Sequence, residues 1–312
     1  MPAAQPSALE TGNVLTVIVA LAANLGVALA KLVAAVITRS GAMAAEAFHA
    51  LADCGNEVLL LVAQSRSERP ADEEHPLGHG REAYFWALIA SLAVFVTGAL
   101  LSLREGIHEL VSGAEATSFP VAYAVLFVSL VLESLSLARA YRQLRREARD
   151  LSREFLEHFD LSSDPIARAI FAEDAAAVAG NVIAALGIVL RQTTGSSVPD
   201  GVAAILIGLI LAYVAVQLAR RNGDFLIGRG ASTAIHERVR RVMAAQPGVK
   251  AVADLVITFL GPRQLWVIAR IEIEDDLSGR GVKVLLRDLE RALTDDSRFI
   301  TRIDLVPFYE PK

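Results

Sequence analysis

The chain has 312 residues, 54% of them hydrophobic and 21% charged, with a formal charge of −5 and a mean hydropathy of +0.44. The apolar share exceeds the roughly 45–50% of soluble domains, and the mildly acidic balance argues against a nucleic-acid partner. The single cysteine, Cys54, excludes an internal disulfide framework and a multi-cysteine zinc knuckle.

Residues 1–12 form a polar tail with no basic stretch ahead of the first apolar run, so that run is expected to persist as a membrane span. Six such runs occur, at 13–38, 41–64, 82–103, 118–140, 166–191 and 198–218. Each reaches the roughly 20 residues needed to cross a bilayer. Asn24 and Lys31 interrupt the first and Glu133 the fourth. A charged loop, 65–81, precedes the third, which opens with Tyr84-Phe85-Trp86, an aromatic group suited to a membrane interface. The connector 141–164 is strongly charged, and Pro165 is placed to start the fifth run.

Arginines set the expected topology. One side holds twelve: Arg66, Arg69 and Arg81; Arg139, Arg142, Arg145, Arg146, Arg149 and Arg153; Arg220, Arg221 and Arg229. The other side holds three, Arg39, Arg104 and Arg191. Both termini are therefore expected in the cytoplasm, with a bacterial inner (cell) membrane as the expected location.

Beyond residue 222 the composition becomes that of a small soluble domain. A helix is expected over 231–245, stopped by Gln246-Pro247-Gly248-Val249. Period-2 strands follow at 251–259 and 265–274 around Gly261-Pro262, then a helix at 281–294 and a strand at 300–306. The expected fold is a membrane all-α six-helix bundle (13–221) with a C-terminal cytoplasmic α+β domain (222–312) of αββαβ order, ferredoxin/metallochaperone-like.

The chemistry lies in the second and fifth runs. In Glu46-Ala-Phe-His49-Ala-Leu-Ala-Asp53 the His and the second acid are four residues apart, one helical turn on one face. An imidazole and a carboxylate so placed make half of a tetrahedral site for a zinc-like ion. Ionisable groups inside a membrane are costly and so mark function by default. The fifth run supplies Glu173-Asp174, followed by small residues up to Gly180 that admit a close helix, and Asn181 seven residues after Asp174. With the topology above, Asp174 lies about 15 Å into its span, matching the depth of His49 and Asp53. A purely structural reading, in which His49 and its carboxylate only join helices, stays open. Glu46, Lys31, Asn24, Asn56, Glu57 and Glu133 are expected mainly as interhelical hydrogen-bond partners, and Cys54 as a small buried residue. In the loop, Asp72, His75 and His79 form a D-x-x-H-x-x-x-H cluster, though Gly78 and Gly80 make a tight turn there in any case.

Six spans, His49-x-x-x-Asp53, the acidic pair in span five, the loop His75-Pro-Leu-Gly-His79-Gly-Arg81-x-x-Tyr-Phe and the αββαβ tail together resemble the cation diffusion facilitator family of divalent-metal/proton antiporters. The resemblance covers nearly the whole chain. It implies export of Zn²⁺ from the cytoplasm in exchange for protons, by homodimers paired through their C-terminal domains. The transport site would be His49, Asp53, Asp174 and Glu173, with Asp72, His75 and His79 as a loop site. In that family the fifth span usually carries a second His-x-x-x-Asp; here Asp174 matches and Ile170 occupies the His position. Glu173-Asp174 is similar to the branch typified by a mitochondrial zinc exporter. A site richer in oxygen relaxes selectivity toward Mn²⁺, Fe²⁺ or Co²⁺. Gln246 and Ala253 stand where family members often carry regulatory histidines, and His236 is the domain's lone histidine. Dimerisation, not metal sensing, is therefore the expected role of that domain. His108 and His158 are expected in loop-like surface settings. The partners are a divalent ion, protons, lipid and a second copy, with no prosthetic group. A non-transporting membrane scaffold is the main rival and an organic-cation transporter the second. An enzyme is least favoured, because no nucleophile–base pair or phosphate loop occurs.

Overall fold

The computed structural model describes residues 11–113, 118–150, 154, 155, 159 and 161–308. Most of the polar tail, Arg153 and His158 lie outside them. Long helices come first: α1 (Thr11–Thr38), α2 (Gly41–Ser67), α3 (Glu82–Ser112), α4 (Phe119–Asp150), α5 (Pro165–Thr194) and α6 (Val198–Ile227). Then follow α7 (Thr233–Ala244), β1 (Val249–Gly261), β2 (Gln264–Ile273), α8 (Gly279–Asp296) and β3 (Ile300–Phe308).

Among the described residues five helices, α1 and α3–α6, are long and apolar enough to cross a membrane. Their outward faces remain apolar, as Val36, Leu92, Phe127, Leu186 and Leu209 illustrate, and lipid covers such a surface without penalty. Helix α2 is 27 residues long, about 40 Å, but falls short in apolarity because Glu46, Asp53 and Glu57 lie along it.

Several helices outrun their expected ends. Helix α3 contains a π-helical stretch, Val94–Leu100, continues α-helical past residue 103, and closes only at Gly113, whose φ of 60° ends the helix in a left-handed cap. His108 therefore lies on a helix, correcting the expected loop, though its side chain is exposed as expected. Helix α4 continues to Asp150, placing Arg139, Arg142, Arg145, Arg146 and Arg149 on its last turns. Ends defined by hydropathy stop where apolar residues stop. Backbone hydrogen bonding continues through any good helix former.

The chain forms two compact units. The first comprises Met1–Leu61, Leu88–Leu151 and Ile166–Ala219. Its interior is lined by small residues, including Ala34, Ala42, Ala45, Ala99, Ala176 and Ala204, filled out by Met43, Ile188, Ile207 and Leu211. Without a hydrophobic drive between helices in lipid, such residues let backbones approach and gain dispersion contacts. One close approach is at Gly106, where an added Cβ would lie 2.7 Å from Ile205 Cγ1 and 2.8 Å from the Gly201 carbonyl of α6.

A buried ion cluster ties helix ends in this unit. Arg191 Nη1 lies 2.5 Å from Glu109 Oε1 and 2.7 Å from Asp200 Oδ2. Asp200 also accepts from Ser40 Oγ and the Gly41 amide, both at 2.8 Å, capping the start of α2. Arg191, expected as a loop arginine, is buried and paired within α5. Its charge thus serves packing instead of marking a membrane face.

The second unit comprises Val62–Ala87, Ser152–Pro165 and Arg220–Lys312. Its three-stranded sheet runs β1-β2-β3, with β1 and β2 antiparallel (Ile257 opposite Val267) and β2 and β3 parallel (Val267 opposite Ile303). Leu285, Leu289 and Leu293, a turn apart on α8, share one core with Val239 and Met243 of α7 and with Ile257, Val267 and Ile271 of the sheet. Each such side chain contributes about 1.5–3 kcal/mol on burial. Ser278 caps α8 by accepting from the Gly281 amide. Tyr84 stacks on Phe225, which meets Phe259 edge-on, and Tyr84 donates to the Ser163 carbonyl.

Gly106→Leu is expected to lower stability by about 1–3 kcal/mol through overpacking. Gly26→Leu, where no atom lies within 4 Å of the added Cβ, should not. Thermal melts of the detergent-solubilised protein compare the two; equal losses would contradict the close α3–α6 contact.

Candidate metal centre

Helix α2 carries its polar side chains on one inward stripe. Glu46, His49, Asp53 and Asn56 recur at spacings of three and four, so they share a face, while alanines between them favour the helix. Glu46, His49 and Asn56 are buried, and Asp53 is about a quarter exposed. His49 Nε2 lies 3.4 Å from Asp53 Oδ2, and its Nδ1 lies 4.0 Å from Glu46 Oε1.

On α5 the buried line passes through Glu173, Ala176, Ala177, Gly180, Asn181 and Ala184. Glu173 turns toward α2 and accepts from Asn56 Nδ2 at 2.5 Å. Asp174, half-buried, turns toward α4 and accepts from Ser136 Oγ at 2.7 Å. The two acids thus divide between two neighbours, as the roughly 100° between adjacent helical residues requires. Ile170 is 39% exposed and stands off the buried line. The more buried of the two acids is Glu173, not the Asp174 that the family pattern selects. Ser136 is a partner that the sequence pattern does not mark. Its only signal is its place three residues after Glu133, on the same face of α4.

Around this stripe the other polar groups pair across helices. Lys31 Nζ donates to Glu46 Oε2 at 2.7 Å and to Glu133 Oε1 at 2.8 Å. Asn181 donates to the other oxygen of Glu133, and Asn24 to Glu57. Cys54 is buried beside Ala28 and Ala50. A different condition holds at the centre. Both ring nitrogens of His49, Oδ1 of Asp53, Oε1 of Glu173, Oε1 of Glu46 and Oδ1 of Asn181 are buried with no hydrogen-bond partner. A buried polar atom without a partner costs about 1–3 kcal/mol, so a cluster of them is a strong departure from ordinary interiors. All but the imidazole N–H are lone-pair donors, the chemistry a cation satisfies. Glu46, Asp53, Glu57, Glu133, Glu173 and Asp174 contribute carboxylates against the ammonium of Lys31, which favours a cation further.

The donors are not a closed cage. No three of His49, Asp53, Glu173 and Asp174 present ligand atoms all within 4.8 Å of one another. His49 and Asp53 are a turn apart on one helix, and the two acids stand on another.

Such a compact group does occur in the loop, at Asp72, His75 and His79. Asp72 Oδ1 lies 3.3 Å from His75 Nδ1, and its Oδ2 lies 2.9 Å from His79 Nε2. The His79 Nδ1 lies 2.8 Å from Glu82 Oε1, and the two rings are 4.2 Å apart. The turn is built locally. The His75 amide bonds Asp72 Oδ1 at 2.6 Å, and Gly78, at φ 80°, brings its amide to the His75 carbonyl. Gly80 admits the backbone of Leu260 and Gly261 so closely that any Cβ would clash. The hydrogen bond from His79 and the His75 amide hold the Asp72 carboxyl down at about 2. Bonds to Asp72 and then to Glu82 raise the His79 imidazole above 6.5.

The family model for the cation efflux transmembrane domain matches residues 17–227. The proton-coupled zinc antiporter SLC30A9, mitochondrial, of Xenopus laevis is 33% identical over 281 residues, 89% of this chain and 50% of that protein. Its Homo sapiens counterpart is 33% identical over 81% of this chain and 44% of its own length. Metal tolerance protein C4 of Arabidopsis thaliana is 29% identical over 76% of this chain and 51% of its own. The chain therefore spans about half the length of these curated relatives. A solved MamM CTD in a cadmium form aligns with 25% of this chain and 95% of its own, at 18% identity and a TM-score of 0.24.

Asp72→Asn removes the main partner of His79, so the imidazole pKa should fall back toward 6.5. Because the folded value is raised, the His79–Asp72 contribution to stability is full below pH 6.5 and lost as pH rises through the folded value. NMR titration of the His79 ring checks this; an unchanged midpoint would refute the contact.

Proposed function

This chain belongs to the cation efflux family, and on that premise we propose that it is a secondary transporter exporting Zn²⁺ in exchange for protons. The observation that carries the reading is the set of buried, partnerless donors on α2 and α5: His49, Asp53 and Glu173, with Asp174 beside them. Neutral His49 and the ionised carboxylates bind the ion from the cytoplasmic side. Binding requires deprotonated ligands, so loading and proton release are linked. The α2 and α5 donors then separate and regroup toward the far side, where protons displace the ion. The reading takes α2 as a sixth span, its acids tolerated because they face the bundle interior. It places both termini in the cytoplasm by the arginine bias, and pairs two copies through the C-terminal unit. Two relatives named as proton-coupled zinc antiporters support Zn²⁺ as cargo. Three carboxylates against one imidazole would also admit Mn²⁺, Fe²⁺ or Co²⁺.

Purified protein in liposomes loaded with a metal-sensitive dye tests the assignment. Asp53→Ala should abolish Zn²⁺ uptake, and wild-type rates in that variant would end it. Competition by Mn²⁺, Fe²⁺ and Co²⁺ ranks the cargo. A non-transporting scaffold would show no metal-dependent rise in melting temperature, whereas a binding site raises it by mass action.

Asp72, His75 and His79 form a second, loop-borne cation site in the same proposal, supported by their compact donor geometry. Replacing all three with alanine should remove one weak site from a Zn²⁺ titration. Unchanged stoichiometry would eliminate that site.

A further inference from the structure

We propose that Glu46 is a positioning residue that aims the His49 imidazole at the cation, with Lys31 holding it and Gly180 making room for it. The inference rests on the proposed role of His49 as a ligand and adds what orients that ligand.

Three contacts converge on the Glu46 carboxylate. Its Oε2 is taken by Lys31 at 2.7 Å, and Lys31 is anchored at its other side by Glu133 at 2.8 Å. Its Oε1 makes no hydrogen bond and faces His49 Nδ1 at 4.0 Å, itself without a partner. Helix α5 leaves a gap at this point. A Cβ on Gly180 would fall on Glu46 Oε1, with His49 Nδ1 3.8 Å away. Lys31 is fully buried, and a buried ammonium keeps its acidic partners because separating them is strongly destabilising.

This arrangement decides which imidazole nitrogen is presented. A ring whose Nδ1–H is held by an acceptor offers the Nε2 lone pair, and such outer partners fix ring orientation in metal sites. The Glu46 Oε1 needs to move inward by about 1 Å to reach hydrogen-bond distance from Nδ1. Nε2 already lies on the Asp53 side, at 3.4 Å. If Lys31 and Glu46 only joined helices, both carboxylate oxygens could serve the ammonium, and Gly180 could be any small residue.

The test uses the full-length protein, with Zn²⁺ transport in liposomes and Co²⁺ titration in detergent. The component of Co²⁺ visible absorption that His49→Ala removes is the signal followed. Glu46→Asp keeps a carboxylate for Lys31 but withdraws it from His49. Gly180→Ala displaces the Glu46 oxygen without altering any charge. Each should weaken Co²⁺ binding in that component, and raise the KM for Zn²⁺, by about 10–100-fold, with maximal rate and melting temperature nearly kept. Wild-type affinity and spectrum in both folded variants would overturn the inference while leaving His49 as a ligand. A fall in melting temperature without a change in affinity would overturn it too, as would failure of both variants to fold, since either makes the cluster a packing element. If His49→Ala itself transports and binds normally, the ligand assignment fails first.

Discussion

A lysine ammonium buried between two carboxylates is the constraint on which the first unit depends. Lys31 of α1 bridges Glu46 of α2 and Glu133 of α4, and Glu133 takes a further bond from Asn181 of α5. Breaking a buried pair leaves an uncompensated charge and costs about 3–5 kcal/mol, so four helices are held in one register. That register sets how far Glu46 reaches and where His49 sits. It works only because Gly180 and the alanines of α5 let the helices approach.

A second charge cluster, Glu109–Arg191–Asp200, acts on different helix ends. Asp200 caps α2 while Arg191 balances it and Glu109. Helix α2 is thus held at its start by a cap and along its length by Lys31. His49 and Asp53, in the turns of α2 that follow Glu46, carry atoms left without partners. Charge pairs thus flank a set of buried polar atoms without hydrogen-bond partners. His49 and Asp53 stand on one helix and Glu173 and Asp174 on another, so the spacing between α2 and α5 sets how near the four groups come to one another.

The second unit follows soluble-protein rules. Its sheet and helices close one core around Val267, Ile271, Leu289 and Leu293, and the segment carrying Asp72, His75 and His79 is counted within it. The loop cluster owes its compactness to local hydrogen bonds and to Gly78 and Gly80, which is why its three residues could be recognised from spacing alone.

Much of this was legible in the residues. Apolar runs marked the helices, and the four-residue step from His49 to Asp53 placed both on one face, because helical periodicity fixes directions within a single element. The same periodicity said that Glu173 and Asp174 must diverge. It could not say which one points inward, which neighbour each meets, or that Ser136, Lys31 and Gly180 complete their surroundings. Nor could hydropathy tell that Arg191 turns inward to an ion cluster or that α3 continues to Ser112. Those outcomes depend on how separate helices dock, and docking is decided by side chains far apart in the chain that meet only in the packed structure. Composition and periodicity by themselves determined a chain of long apolar helices with a polar stripe on one face of α2. Only the tertiary structure, by juxtaposing charges that no local rule relates, decided which of those polar groups are satisfied and which are left without a partner.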